Sequence, residues 1–412
     1  ALLGLELLRR HAYPPEDLRP GDPPYDLPRV RELCNFTTHT PVEAGHDQFS
    51  YALVQRVLDN AVDAETVKRL TNAADERRSR LTTNEGFVAL ATLKQLAGDD
   101  RLNMTRLALN LSEYVNGVAK RHAEVSQGMF PGYRVHAVTN GVHPFTWASE
   151  PFRRLYDRYI PSWCHEPEQL VRADCCIPDA AFWAAHAEAK QALIERVRAS
   201  TGKVLQPNVP GLGFARRMTA YKRPDLLFSD LDRLKAVARQ HPFQVVLAGK
   251  AHPHDEGGKR MIEQLHAHAS ALEGIVPVVY LPDYDMEIAR FLVAGVDVWL
   301  NTPLRPYEAS GTSGMKAALN GVPSLSVPDG WWAEGCIEGV TGWSIGDTTD
   351  TNGGDALALY DKLENTVLPL YYESAADPGG WIRLMKGAIS KNASYFNSHR
   401  MMRRYVTEAY IR

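Results

Sequence analysis

Residues 211–223 read GLGFARRMTAYKR, and the fold turns on them. Gly211 to Ala215 form a short apolar run with no helical period, as a strand buried on both faces would. Four cations follow within eight residues: Arg216, Arg217, Lys222 and Arg223. The same short apolar run recurs at 244–248, 276–281, 296–300 and 324–327. Between the runs lie amphipathic stretches. Leu226, Leu227, Leu231, Leu234 and Val237 mark one; Met261, Ile262, Leu265, Ala269 and Leu272 mark another. This alternation, from about Gly141 onward, predicts an α/β domain with a doubly wound parallel sheet. In such a sheet ligands sit outside the carboxyl ends of the strands, so the residues that follow each run are the candidates for chemistry.

Three segments stand at such positions. In the first, Arg216 and Arg217 are expected at the strand end and Lys222 at the start of the next helix. Guanidinium forks bind phosphate oxygens in pairs and a lysine adds a point charge, so a phosphate site fits. A solvated basic turn fits the same residues. The second reads RPYEASGTSGMKA at 305–317. Its small residues 310–314 are expected to lead into a helix at about Met315, with amides free for a phosphate and Lys316 in the first turn. The spacing is not that of a P-loop; a lysine beside a phosphate cradle instead suits a covalent bond to pyridoxal 5'-phosphate. A flexible turn before an ordinary helix is the plainer reading. The third segment is divided between FTTHTPV at 36–42 and VTNGVHP at 138–144. There His39 and Asn140 can meet sugar hydroxyls or cap their own backbone.

Residues 1–139 carry a mainly helical pattern. Leu53, Val54, Val57 and Leu58 share one face; Leu107, Leu111, Tyr114, Val115 and Val118 share another. Residues 13–27 and 82–87 read as polar connections. Leu2, Leu3, Leu5, Leu7 and Leu8 suggest a buried helix already under way, without signal-peptide features, so the chain is expected to begin inside a domain. The formal charge of the 412 residues is -3, which gives no basic face for nucleic acid. No apolar run is long enough for a membrane span. The five cysteines show no metal-ligand or redox spacing and are expected to be reduced thiols of a cytoplasmic protein.

Together these segments resemble the α-glucan phosphorylase family (the glycogen, starch and maltodextrin phosphorylases) in its short, largely unregulated branch. YVNGVAKRHAEVS at 114–126, AGKAHP at 248–253 and DGWWAEG at 329–335 fall in the same order. EASGTSGMKAALNG at 308–321 is similar to the family's cofactor-lysine motif and is the most specific of them.

The resemblance implies a GT-B glycosyltransferase fold, with residues 1–140 a partial N-terminal domain and 141–412 a complete C-terminal domain whose last helix crosses back. It implies release of glucose 1-phosphate from α-1,4-glucan ends, with retention. Lys316 corresponds to the lysine that holds pyridoxal 5'-phosphate. Arg216, Lys222, Thr312, Ser313 and Gly314 match contacts to the cofactor phosphate, and Tyr284 and Trp147 match residues around its ring. Arg217 matches the grip on inorganic phosphate. His39, Asn140, Glu308, Ser310 and Gly311 match contacts to the glucosyl unit, with the carbonyl of His39 facing developing charge. Maltodextrin and phosphate are the partners implied, without nucleic acid, membrane or metal, and a homo-oligomer is compatible with them. Thr219, Ala220 and Gly314 depart from the regulated branch, which bears on regulation rather than chemistry. A Gly-rich loop and an acidic, His-containing motif of the N-terminal domain are absent, so the chain is expected to be a fragment. A nucleotide-sugar-dependent GT-B transferase resembling glycogen synthase, or an inactive glucan-binding fragment, is the alternative.

Overall fold

The computed structural model describes residues 2–19, 22–42, 45–60, 88, 90–348, 353–374 and 379–411. The chain divides into two compact units, one of residues 1–117 and 123–137, the other of 118–122 and 138–412.

The first unit packs helices Leu2–Arg10, Leu27–Glu32, Tyr51–Asn60, Leu90–Ala97 and Met104–Asn110. Leu5, Leu8, Val30, Leu93, Leu96, Leu107 and Leu111 close its core, whereas Leu3 and Val57 are exposed. It also holds five short strands that periodicity did not reveal. Strand β1 (Asn35–Thr37) pairs in parallel with β4 (Tyr114–Gly117), which pairs with β5 (His136–Ala137). Strands β2 (Gln48–Ser50) and β3 (Arg101–Asn103) form an antiparallel pair. The helical face expected through Tyr114 and Val115 is therefore corrected. The helix ends at Asn110, Leu111 caps it, and Tyr114 to Gly117 form a strand buried at every position. A strand buried on both faces leaves no alternation to read. The connection expected at 82–87 lies outside the described residues.

The second unit carries a parallel sheet, as the alternation predicted, of the five expected strands and one more: β6 (Gly211–Arg217), β7 (Gln244–Lys250), β8 (Val278–Leu281), β9 (Val298–Asn301), β10 (Ser324–Ser326) and β11 (Gly342–Ser344). The order β11-β10-β9-β6-β7-β8 runs outward from β6 in one direction and then, from β9, in the other. The switch point lies between β6 and β9, the place where a sheet of this order offers a crevice for a ligand. Pairing of β6 with β9 covers only Leu212↔Val298 and Gly213↔Trp299, while β6 stays paired with β7 as far as Arg217↔Lys250.

Several boundaries shift from expectation. Val276 and Val296 are buried but lie outside the ladder; Pro277, which has no N–H to give, stands directly before β8. Strand β11 is three residues long and was missed. Gly342 begins it at φ +145, where a Cβ would come within 2.0 Å of the Ser324 carbonyl oxygen. Lys222 does not begin a helix: it closes a 3₁₀ turn, Ala220–Lys222, and the α-helix starts at Leu231. Arg223 is left-handed (φ 44) and Pro224 follows, so the turn cannot run on as helix. The chain's end returns to the start of this unit, where Val142 N–H donates to Phe396 O (3.1 Å) and Ser398 N–H to Val142 O (2.9 Å). Among the described residues no helix is long and apolar enough to cross a membrane.

Candidate active site

Arg216 lies near the end of β6, its side chain reaching across the crevice toward β9. It donates to Asn301 at the last position of β9 and to the Glu308 carboxylate. Lys222, from the turn after β6, donates to the same Glu308 oxygen at 2.7 Å. Glu308 is buried; burial alone would raise its pKa, but Arg216 and Lys222 outweigh that and hold it below the usual range. Burial lowers the Lys222 ammonium to about 8, with Arg216 adding repulsion.

The four cations of the opening stretch divide in function. Arg223 is structural: it donates to the carbonyls of Thr302 (2.9 Å) and Pro303 (2.8 Å) and to Asp355 (2.5 Å), which Arg305 also pairs at 2.5 Å. This buried pair of ion bridges fastens the turn after β6 to the segment after β9. Arg217, the next residue along β6, is exposed.

Beyond Glu308 the chain makes a tight loop and enters the helix Thr312–Ala318. The helix starts three residues earlier than expected, because Gly311 caps it in the left-handed region (φ 80). Lys316 is therefore in the second turn rather than the first. Its Nζ lies 3.7 Å from the centroid of the buried Trp147 ring. Burial, then the charge of Arg216, lowers its pKa to about 8. Ser310 is buried, and its hydroxyl has no partner among the described residues. Thr312 and Ser313 are half-buried, and Ser313 Oγ accepts from Trp299 Nε1 at 3.1 Å. Gly314 leaves room for an indole, since a Cβ there would meet Trp331 at 2.6 Å. Tyr284, after β8, is half-buried near Arg216, and burial raises its phenol pKa.

Arg216, Lys222, Glu308, Lys316, Trp147 and Tyr284 thus come together within one unit. Asn140 belongs to the same unit. It is half-buried, donates its N–H to Val118 O (2.9 Å), and accepts at its carbonyl from Arg400 Nη2 (2.9 Å). His39 is an exposed residue of the other unit.

Three residues of the site went unread in the sequence. Asn301 receives Arg216. Asn320 donates to the carbonyls of Trp147 (2.9 Å) and Lys316 (3.1 Å), tying the ring to the helix beneath it. Asp329 accepts from Glu308 N–H at 2.8 Å. Asn320 and Asp329 lie inside strings quoted for their resemblance; because they bind backbone groups, residue type and spacing gave no chemical signal.

Fold and site define an α/β protein with a cluster of cations at the switch point of a parallel sheet. The chain belongs to the carbohydrate phosphorylase family, whose model matches residues 27–336. It is 38% identical over 423 residues to a glycogen phosphorylase of Aquifex aeolicus, an alignment covering 93% of this chain and 58% of that protein. It is 39% identical over 413 residues to a maltodextrin phosphorylase of Thermococcus litoralis, covering 92% and 47%. A glycogen phosphorylase of Mycobacterium tuberculosis is 36% identical over 420 residues, covering 92% and 47%. The chain thus spans about half the length of these relatives.

Proposed function

We propose that the protein to which this chain belongs is an α-glucan phosphorylase that carries pyridoxal 5'-phosphate and releases glucose 1-phosphate from glucan ends with retention. The observation that carries this is a charge imbalance. Arg216 and Lys222 share one buried carboxylate, Glu308, while Lys316 feels the charge of Arg216 and pairs with no carboxylate among the described residues, beside a buried serine hydroxyl that has no partner there either. Excess cationic charge at the open end of β6 favours a phosphate-bearing group, and an unpartnered hydroxyl favours a polar substrate. The donor set therefore fits the cofactor. When bound, the cofactor supplies a phosphate that exchanges a proton with inorganic phosphate.

The residues divide the remaining work. Arg216 and Lys222, with Thr312, Ser313 and Gly314, hold the cofactor phosphate. Lys316 holds the cofactor covalently, and its lowered pKa favours the neutral, nucleophilic amine. Trp147 and Tyr284 flank the ring. Arg217, exposed where Arg216 is engaged, takes inorganic phosphate. Asn140, Glu308, Ser310 and Gly311 receive the glucosyl hydroxyls. The six-stranded unit is read as the cofactor domain of a GT-B fold and residues 1–140 as part of the N-terminal domain, in a cytoplasmic enzyme acting on maltodextrin and phosphate. Release of glucose 1-phosphate from maltodextrin and phosphate by the full-length protein tests this. Turnover that requires a nucleotide sugar, or glucan binding without turnover, contradicts it.

A further inference from the structure

Asp329 follows β10, in a segment remote in sequence from Glu308, yet the two meet. The Asp329 carboxylate is 1% exposed and accepts two backbone amides, Glu308 N–H at 2.8 Å and Gly330 N–H at 2.9 Å. Two residues on, Trp331 N–H donates to Ser310 O at 2.8 Å. Gly330 makes this approach possible. Its φ is +55, and a Cβ would fall 2.6 Å from Ser310 O and 2.9 Å from Glu308 O. The Trp331 indole then lies against Gly311 and Gly314, where added Cβ atoms would meet it at 3.3 and 2.6 Å. The turn 329–331 thus touches the loop 308–314 at both of its ends.

We propose that Asp329 is a positioning residue of this site, which holds Glu308 at the height where its carboxylate meets both the cations and the glucosyl unit. This rests on the reading of the crevice as the site of phosphorolysis. A buried carboxylate that accepts only main-chain amides fixes backbone, so its action on substrate passes through Glu308. Glu308, Lys222 and Arg121 are the charged groups that face it. Burial pushes its pKa up to about 6 against the pull of the two amides, so well above that pH the carboxylate is charged and both amides are held.

The test uses the full-length protein at a pH well above 6, with Asp329→Asn alone and combined with Glu308→Gln. An amide nitrogen in place of one carboxylate oxygen turns a donor toward one of the two N–H groups, so one contact is lost. The expected result is a fall of about ten-fold or more in kcat/KM for maltodextrin, with the KM for phosphate and the bound cofactor unchanged. In the Glu308→Gln background the same substitution should add less than about two-fold, because its route is already cut. Amide hydrogen exchange should quicken across 308–311 and stay unchanged in β7, a readout independent of turnover. Additive losses, equal losses for both substrates, or unchanged exchange at 308–311 overturn the proposal. Should Asp329→Asn fail to fold, Gly330→Ala strains the same contact and must show the same kinetic split. A wild-type protein that releases no glucose 1-phosphate refutes the phosphorolysis reading instead, and the exchange result still decides whether Asp329 holds the loop.

Discussion

Cations close together in sequence have different surroundings. Arg216 is spent on Asn301 and Glu308, Arg223 on carbonyls and Asp355, and Lys222 on Glu308, while Arg217 is exposed. The residue types and their spacing made a phosphate site legible, but not this division, because each side chain's partner comes from a distant segment. If Arg217 takes inorganic phosphate, as proposed, Arg217→Ala should weaken one substrate selectively. Loss of a charge-assisted contact is worth roughly 1.5–3 kcal/mol, so kcat/KM for phosphate should fall about ten- to hundred-fold, with glucan binding little changed. Steady-state kinetics in each substrate checks this; equal losses would make Arg217 structural.

Helix and strand are locked together at the amino ends of β6 and β9, opposite the carboxyl ends that carry the site. Asp297, fully buried just before β9, accepts from Lys190 Nζ at 2.7 Å, His186 Nε2 at 3.0 Å and Gly211 N–H at 2.7 Å. It joins the helix Asp179–Thr201 to the start of β6 and to β9. Burial would raise its pKa, but Lys190 and His186 bring it from 3.8 down to about 2. A lowered carboxylate pKa adds stability that is fully present above 3.8 and lost as pH falls through about 2. Asp297→Asn should therefore cost about 3 kcal/mol in urea unfolding near neutral pH, since it strands Lys190 in the interior. The gap from wild type should narrow as pH drops below about 4. A gap constant down to the acid limit would count against this role. The alternation of elements was legible because five of the six strands of this sheet lie in compact apolar runs. Strands β1 to β5 and β11 were not: they are short, lie in no apolar run and announce themselves only by pairing.

For the whole molecule, the parallel sheet follows from pattern and the site from motif, and the crevice needs the strand order to connect them. The reversal between β6 and β9 explains why residues from 216 and 308 meet. Family membership rests on most of the chain, whereas the relatives are about twice its length or somewhat less, so the proposed activity is to be tested on the full-length protein. The central claim is that this crevice holds pyridoxal 5'-phosphate on Lys316. Borohydride reduction of the full-length protein, followed by peptide mass mapping, measures it directly. One pyridoxyl group per chain, on the peptide that contains Lys316, is the result expected. An adduct on another lysine, or none in a protein that releases glucose 1-phosphate, would contradict it.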